Sequence, residues 1–378
     1  MAVLALACAR DAAPIAATGH GISTLAPAPV DYSARGPYPV GMMILDAGAT
    51  KAVVYYPADP ATLDSSRHVT SYNLGDALTP ALRAYLGPVV PELVQDIPLD
   101  VHQSASINPE GPFPIVVHSH GVGGSPMAES AHFQHLASWG FVVAAPDHQA
   151  RDLTALATGA VVADGSDDRD LRATLDALSR ENTRPGSPLL TGLDTTSVAA
   201  EGLDDGAATA YRLAAEDRRV RAWIGQAPTA LGPPDGAAPA PLEKAMLIIA
   251  GEKDSLVPVA DVQARYDALG APKRLAIVHG AGHSTFLDAC APLRRSGGLG
   301  TYAANLPALI PILERNDDGC AGPDAIEPAR ASAYIDHLTV ASYRRAFGLD
   351  TDDASVREDF LRRTFPEAAG PIQSTPAP

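Results

Sequence analysis

Several residue types are scarce in this chain, and its charge and hydrophobic pattern argue against some classes of protein. Its 378 residues contain three cysteines and two tryptophans, and lysine is scarce. The formal net charge is −16 and no basic cluster is present, which argues against a nucleic-acid partner. The apolar run at residues 1–8 is too short to span a bilayer. A chain of this length nevertheless buries about three quarters of its unfolded surface, so a large core is expected.

Residues 197–210 carry the most specific motif of the chain. A short apolar strand runs into a Gly-x-Asp-x-Gly turn centred on Asp204, and a helix of small residues follows. Flanking glycines permit a sharp turn around a strained residue, and small side chains let the helix pack closely on the strand. This pattern presents a nucleophile at the end of a strand, and the residue presented here is Asp204.

An acid and a histidine follow this turn in chain order. A buried strand at residues 245–251 leads to Asp254, three residues past its last glycine. A second strand at residues 273–278 leads into a glycine-rich loop that contains His283. The order nucleophile, acid, histidine is that of the α/β hydrolases, so the sequence predicts a triad of Asp204, His283 and Asp254.

A fourth element is a predicted strand that ends in a His-Gly-x-Gly-Gly turn at residues 120–124. Such a turn leaves backbone N–H groups free to stabilise developing negative charge. We expect the two donors of this oxyanion hole to come from Val122 and Asp205. We assign Gly121, Gly123, His120 and Asp205 to the substrate pocket.

Together these features resemble a known family. The chain is similar, over about residues 35–348, to the bacterial predicted dienelactone hydrolases related to platelet-activating factor acetylhydrolase. The matching segments are residues 36–41, 55–58, 118–121, 139–148 and 282–290. The resemblance implies an α/β-hydrolase fold and hydrolysis of esters or lactones by a serine or cysteine nucleophile. Asp204 departs from that pattern, so ester hydrolysis does not simply carry over.

The aspartate changes the chemistry that is expected. A carboxylate that attacks an ester carbonyl forms a mixed anhydride, and the alkoxide to be expelled is a far worse leaving group than the carboxylate. Attack at an sp³ carbon of an epoxide or a carbon–halogen bond instead gives an alkyl ester, which water activated by His283 hydrolyses. Dehalogenation is disfavoured because Trp139 and Trp223 lie in or beside strands, and because the charge of Asp205 repels a halide.

The predicted function is therefore a hydrolase of a small organic substrate, ester-like, lactone-like or an epoxide, with Asp204 as nucleophile or general base. Two alternatives stay open: a catalytically inactive binding protein, and a lyase or isomerase that reuses the pocket. Tyr72, Tyr211 and Tyr302 are the candidate proton donors for epoxide opening. The adjacent charges of Asp204 and Asp205 predict a neutral polar or cationic substrate. No cofactor is predicted, and the oligomeric state is left open.

Alternating apolar strands and helices predict an α/β architecture, a mostly parallel central sheet with helices on both faces. We assign residues 31–350 to one catalytic domain, with a helical insertion at residues 74–93 that walls the pocket. Residues 1–30 are assigned to a leader or disordered segment. Residues 351–378 are assigned to a C-terminal tail, with a short helix near residues 356–363 followed by disorder.

The resemblance also implies a disulfide between Cys290 and Cys320, because similar proteins carry a cysteine pair after the histidine. With a leader that offers Cys8 for a lipid anchor, this favours a secreted, periplasmic or lipoprotein location, and a cytoplasmic one is the alternative. His118 and His120 lack an accompanying carboxylate or cysteine cluster, so no metal site is predicted. The acidic stretches at residues 164–170 and 317–318 are expected to be surface turns.

Overall fold

The computed structural model describes residues 28–73, 96–162, 165–231, 242–295 and 318–376, together with positions 80, 84 and 297. Cys8 and Tyr302 lie outside the described residues, and so does the predicted insertion at residues 74–93 apart from two positions. Among the helices of the described part, none is long and apolar enough to cross a membrane.

The described residues form one 11-stranded mixed sheet. Its strands are β1 (Val40–Asp46), β2 (Lys51–Pro57), β3 (His68–Asn73), β4 (Asp96–Gln103), β5 (Phe113–Ser119), β6 (Val142–Pro146), β7 (Leu193–Leu203), β8 (Val220–Gln226), β9 (Ala245–Gly251), β10 (Lys273–Val278) and β11 (Ala369–Thr375). They are arranged in the order β11-β10-β9-β8-β7-β5-β6-β2-β1-β4-β3.

The helices of the described residues are α1 (Ser130–Ser138), α2 (Leu153–Thr158), α3 (Ser166–Glu181), α4 (Asp205–Glu216), α5 (Val259–Ala268), α6 (Cys290–Arg295), α7 (Pro328–Ala346) and α8 (Glu358–Thr364). Short 3-10 turns cover Pro60–Thr62, Ser65–Arg67, His283–Phe286 and Ala354–Val356.

The centre of the sheet is parallel, as predicted. Strands β6, β5, β7, β8, β9 and β10 pair in parallel, whereas β2 joins β6, β1 joins β2 and β11 joins β10 in antiparallel fashion. Strands β5 and β6 are buried along their whole length, which explains why they are near-continuous apolar runs. The carboxyl ends of parallel strands lie at one edge, and this edge receives the residues that follow β5, β7, β9 and β10.

Helices cover both faces of the sheet, also as predicted. Successive residues of a strand point to opposite faces, so Val116 belongs to one hydrophobic core and Val117 to the other. The first core is completed by α1, α7 and α8, and the second by α3, α4 and α5. Burial on both faces holds β7 in place, and its end carries Asp204.

The C-terminal segment differs in part from the prediction. A short helix, α8, forms close to the predicted position, but the residues after it are not disordered. Residues 369–375 form β11, which pairs with β10 from Lys273 to Val278. Three consecutive apolar residues in this segment are buried, Ala368 and Ala369 among them, whereas the strand's later residues are exposed. An edge strand with one exposed half carries a weak hydrophobic pattern, and the sequence reading missed it for that reason.

Candidate active site

Asp204 occupies a strained turn between β7 and α4. Its backbone has φ 60° and ψ −126°, a conformation that residues with a side chain rarely adopt. The two flanking glycines are required by close approach: a Cβ on Gly206 would lie 1.8 Å from the Ser119 carbonyl oxygen, and one on Gly202 would lie 2.3 Å from the Gly206 backbone. The sharp turn leaves the Asp204 side chain 2% exposed at the N-terminus of α4, where the helix dipole favours an anion.

His283 and Asp254 converge on this turn. The Nδ1 atom of His283 lies 2.9 Å from Asp254 Oδ2, and its Nε2 atom lies 3.9 Å from Asp204 Oδ1. Asp254 is itself held by the Leu256 and Val257 N–H groups, which donate to its Oδ1 atom at 2.9 and 2.6 Å. The structure thus brings the three predicted residues together, with the imidazole between two carboxylates.

The predicted oxyanion turn faces the Asp204 carboxylate. The Val122 N–H donates to Asp204 Oδ2 at 3.2 Å. Gly121 provides the space for this contact, since a Cβ there would lie 2.7 Å from the Asp204 Cβ and 2.9 Å from its Oδ2. Gly123 has φ 76°, and its N–H donates to the Arg151 carbonyl at 2.7 Å. Asp205 begins α4, and the first N–H groups of a helix have no partner inside the helix.

His120 was assigned to the substrate pocket, but in the structure its ring binds backbone groups of this turn and of the loop after β6. Its Nε2 atom accepts the His148 N–H at 3.0 Å, so Nδ1 carries the proton and donates to the Gly121 carbonyl at 2.9 Å. Burial, together with the nearby Arg151 cation, lowers the pKa of His120 to about 3. A neutral ring with both nitrogens bound to backbone groups fixes the shape of the turn.

Arg151 supplies a positive charge beside the two adjacent aspartates. It is 4% exposed, pairs with Asp167 at 2.7 Å and donates to the Thr209 and Ser119 hydroxyls at 3.0 and 2.7 Å. Burial lowers the pKa of Arg151, while the charges of Asp167, Asp205 and Asp204 oppose that shift. A positive charge within the protein therefore acts on Asp204 and Asp205, in addition to any charge that a substrate would bring.

Asp205 points to a neighbouring loop. Its Oδ1 atom accepts a hydrogen bond from the Thr229 hydroxyl. The side chain is half-buried and its charge is partly satisfied within the protein. A preference for cationic substrates consequently loses its physical basis.

Asp318 connects the loop that contains His283 to the loop that contains Asp254 and Ser255, a role that the sequence analysis missed. Its Oδ2 atom accepts the His283 N–H at 2.8 Å and the Ser255 N–H at 2.9 Å, and its Oδ1 atom accepts the Ser255 hydroxyl at 2.8 Å. Asp318 lies in the expected turn, but it is half-buried and accepts hydrogen bonds from both loops beside the triad. Its distance along the chain from both loops left no sequence signal.

The expected disulfide joins Cys290 to Cys320, as the resemblance implied. It anchors the segment that carries Asp318, two residues earlier. In the same segment Gly319 packs against Gly282, where a Cβ would lie 2.6 Å from the Gly319 Cα. The covalent link thus keeps Asp318 next to His283.

Comparisons with known proteins agree with this geometry. Residues 31–179 match the family model described as platelet-activating factor acetylhydrolase, isoform II. A solved structure of a ferulic acid esterase from Streptomyces cinnamoneus superposes with a TM-score of 0.61 at 24% identity, over 87% of this chain and 95% of that one. The chain has the α/β-hydrolase fold. A comparison with curated protein sequences found no match.

A second histidine, His148, lies close to Ser119 at the end of β5. His148 Nε2 is 2.8 Å from the Ser119 hydroxyl, and its Nδ1 is 3.0 Å from Asp170 Oδ2. Ser119 is fully buried in β5 and also receives a hydrogen bond from Arg151. Burial and the Arg151 cation lower the pKa of His148 well below its usual range, so the imidazole is neutral.

Other groups within the protein already bind or pack against both tryptophans and two of the tyrosines. The Trp139 and Trp223 indole N–H groups donate to the Ala34 and Ala207 carbonyls at 2.9 and 3.0 Å. The Tyr211 ring packs in the core against Trp223, with the ring centroids 5.2 Å apart. The Tyr72 hydroxyl donates to Asp288 at 3.0 Å. Neither indole therefore provides a halide donor.

Among the described residues there are two groups of three side chains whose possible metal-ligand atoms lie within 4.8 Å of one another. One consists of His148, Asp167 and Asp170. The other consists of His68, Asp100 and His102, at the far edge of the sheet.

Proposed function

We propose that this hydrolase opens a small organic substrate at an sp³ carbon and holds it as an alkyl ester of Asp204. The observation that carries the proposal is the hydrogen bond from the Val122 N–H to Asp204 Oδ2, at 3.2 Å. In a serine esterase the same N–H group binds the carbonyl oxygen of the substrate. Here it binds an oxygen of the nucleophile, which suits a reaction whose tetrahedral intermediate forms on Asp204 itself.

The first step displaces an oxygen leaving group. A carboxylate oxygen of Asp204 forms a bond to the substrate carbon, and the carbon–oxygen bond of an epoxide or lactone breaks with its electron pair on the leaving oxygen. The alkoxide that an epoxide leaves takes a proton from solvent water, and the hydroxide so formed is neutralised by the buffer, whereas a lactone leaves a stable carboxylate. Both tryptophan N–H groups are bound to backbone carbonyls, so a halide leaving group has less support than an oxygen.

The second step hydrolyses the ester on Asp204. His283 Nε2 removes a proton from a water molecule that attacks Cγ of Asp204, and Asp254 orients the ring through Nδ1 at 2.9 Å. Negative charge develops on the oxygen that faces the Val122 N–H, where the turn stabilises it. Collapse expels the product alcohol, and the proton on His283 neutralises it.

A second candidate is hydrolysis of an ester by water that Asp204 and His283 activate together as a general base. At 3.9 Å, His283 Nε2 and Asp204 Oδ1 are too far apart for a direct hydrogen bond, a separation that a bridging water would span. The match of residues 31–179 to an acetylhydrolase family and the likeness to a ferulic acid esterase favour ester substrates. The two candidates differ in whether a covalent intermediate forms.

The test is a trapping experiment with the His283→Ala variant. It is incubated with styrene oxide, β-butyrolactone or p-nitrophenyl acetate, and the intact mass and the modified peptide are measured. We expect a covalent increment on Asp204 with the epoxide or the lactone, because the first step does not need His283. Asp205→Asn in the His283→Ala background is the matched control and keeps the increment, whereas Asp204→Asn abolishes it.

Isotope labelling separates the two candidates. In a single turnover of the wild-type enzyme in H₂¹⁸O, an alkyl-ester pathway places ¹⁸O in the Asp204 carboxylate. General-base hydrolysis places the label only in the product. Turnover without an adduct and without label in Asp204 contradicts the covalent proposal. Ligand binding without turnover of any of the three substrates points to a binding protein.

A further inference from the structure

Two imidazoles and a carboxylate meet on one face of the β3–β4 hairpin. His68 and His102 are directly opposite each other in the antiparallel register, and their rings stack with centroids 4.6 Å apart and planes 12° apart. Asp100 precedes His102 by two residues, so both side chains leave the same face of β4. His68 Nε2 lies 2.7 Å from Asp100 Oδ1, and one donor atom of each residue lies within 4.8 Å of the others.

The cluster is open to solvent and only partly satisfied by the protein. The side chains of His68 and Asp100 are 34% and 52% exposed, so an ion reaches them without an opening of the fold. The Nδ1 atom of His102 is shielded from water, and no hydrogen-bond partner for it lies among the described residues. An imidazole nitrogen in this condition favours a ligand that accepts its lone pair.

Neighbouring groups hold the carboxylate in position. Arg35 binds Asp100 Oδ2 through NH1, and its NH2 donates to the Asp100 carbonyl at 3.1 Å. The Asp100 N–H donates to Gln134 Oε1 at 2.9 Å. These contacts fix one carboxylate oxygen and leave the other facing the two rings. Ligating carboxylates in metal sites are commonly held by such outer hydrogen bonds.

We propose that His68, His102 and Asp100 form a binding site for a divalent transition-metal ion such as Zn²⁺. Two imidazoles select Zn²⁺, Cu²⁺ or Ni²⁺ over Ca²⁺ and Mg²⁺, which prefer oxygen ligands. Three protein ligands leave a coordination position for water. Small rotations of the exposed His68 and Asp100 side chains bring the donor atoms to coordination distance. The sequence analysis predicted no metal, because these residues are 34 positions apart at their extremes and pair only in the sheet.

The ion would join two strands at the edge of the sheet. His68 and His102 lie at the end of the hairpin opposite Asn73 and Asp96, from which residues 74–95 extend. Strand β3 is six positions away from β7 in the sheet order, which is on the order of 25–30 Å from Asp204 at the usual strand spacing. The site is therefore separate from the triad, and its occupancy has a readout other than activity.

The test is calorimetric titration of Zn²⁺ into the full-length protein after chelator treatment, with the melting temperature recorded in parallel. We expect one equivalent bound and a rise of the melting temperature. His68→Ala and His102→Ala each weaken binding at least about tenfold, in line with the loss of a direct ligand. Both abolish the rise.

The matched control is His279→Ala. His279 is an exposed histidine, and its Nδ1 lies 2.8 Å from Glu252 Oε2, but no second imidazole completes a cluster among the described residues. This variant keeps the affinity and the thermal shift of the wild type. The proposal is overturned by an absence of binding, by unchanged affinity in the His68→Ala/His102→Ala double variant, or by binding that only His283→Ala removes. Far-ultraviolet circular dichroism of each variant verifies that it is folded.

Discussion

His283 and His148 each lie in a row between a carboxylate and a second oxygen group, which is the Asp204 carboxylate for His283 and the Ser119 hydroxyl for His148, and the two rows differ in their surroundings. His283 stands between Asp254 and Asp204, with Nδ1 2.9 Å from Asp254 and Nε2 3.9 Å from Asp204. His148 stands between Asp170 and Ser119 at 3.0 and 2.8 Å. The distances within the His148 row, a serine–histidine–aspartate arrangement, are on the whole shorter than those within the His283 row.

The surroundings of the two rows, in contrast to the distances, favour the His283 row as the reactive one. Ser119 lies in a fully buried strand, and Arg151 donates to its hydroxyl at 2.7 Å, which lowers its electron density and blocks approach. Asp204 instead sits at a strained turn beside the Val122 N–H. A nucleophile needs an accessible position and donors for the developing charge as well as a histidine partner. The comparison supports the proposal that the His283 row carries the chemistry, and that the His148 row, whose Ser119 accepts a hydrogen bond from Arg151, is structural.

The largest effect expected is that of removing the Asp204 carboxylate. Asp204→Ala should lower kcat/KM at least about 10³-fold, because no other group replaces the nucleophile or base. Ser119→Ala is the matched substitution in the other row and should cost less than about tenfold. Steady-state kinetics on a substrate found in the trapping experiment measure both. Comparable losses in the two variants, with both folded, would mean that the rows share the chemistry.

The second prediction gives the His283 row a serine and so makes the two rows chemically alike. Asp204→Ser should hydrolyse p-nitrophenyl acetate at least about tenfold faster than Asp204→Ala, because the Val122 N–H becomes available to the substrate carbonyl. The serine at position 119 gives no such activity to the Asp204→Ala variant. Equal inertness of the folded Ser and Ala variants would contradict the assignment of the oxyanion turn.

The third prediction concerns Asp318, which holds the His283 row in position. Asp318→Ala should lower kcat about 10- to 100-fold with a smaller change in KM, because the His283 and Ser255 loops lose their common acceptor and the ring moves. Asp318→Asn should recover part of the loss. Asp324→Ala on the same segment serves as the control, since its side chain is 83% exposed. A fall in melting temperature without a fall in kcat would limit Asp318 to a role in stability.

The smallest effect expected is a change in pH dependence at Asp170. Burial, with the nearby charge of Asp167, raises the pKa of Asp170 to about 6. Between about pH 4 and pH 6 the unfolded chain has lost this proton while the folded chain keeps it, so the contribution of Asp170 to stability falls as pH rises. Asp170→Asn should remove this slope, about 1 kcal/mol after allowance for solvent screening.

Urea unfolding of the wild type and the Asp170→Asn variant at pH 4.5, 5.5 and 7 measures the effect as the difference between two curves. Asp147, whose pKa burial also raises to about 6, is present in both proteins, so the difference between the curves reports Asp170 together with its interaction with Asp147. Parallel curves would mean that Asp170 ionises normally and that Arg151 neutralises it.

Local sequence was sufficient wherever chain neighbours decide the structure. The turn at Asp204 needs glycines at fixed offsets, and strand ends mark the positions of Asp254 and His283, so the triad and the oxyanion turn were predicted together. The prediction of both sheet faces being covered followed from strands that are apolar along their whole length. The disulfide was expected from resemblance, and spacing alone did not supply it.

The sequence by itself determined which residues stand at the ends of which strands, because glycine spacing and hydrophobic period are properties of the chain. Only the tertiary structure decided that Arg151 is buried and paired with Asp167, that Asp318 accepts hydrogen bonds from both His283 and Ser255, and that His68 meets His102. Each of these contacts joins residues that packing brings together from distant elements. Their side chains are common surface types, and burial and partners, which no local pattern encodes, assign their roles.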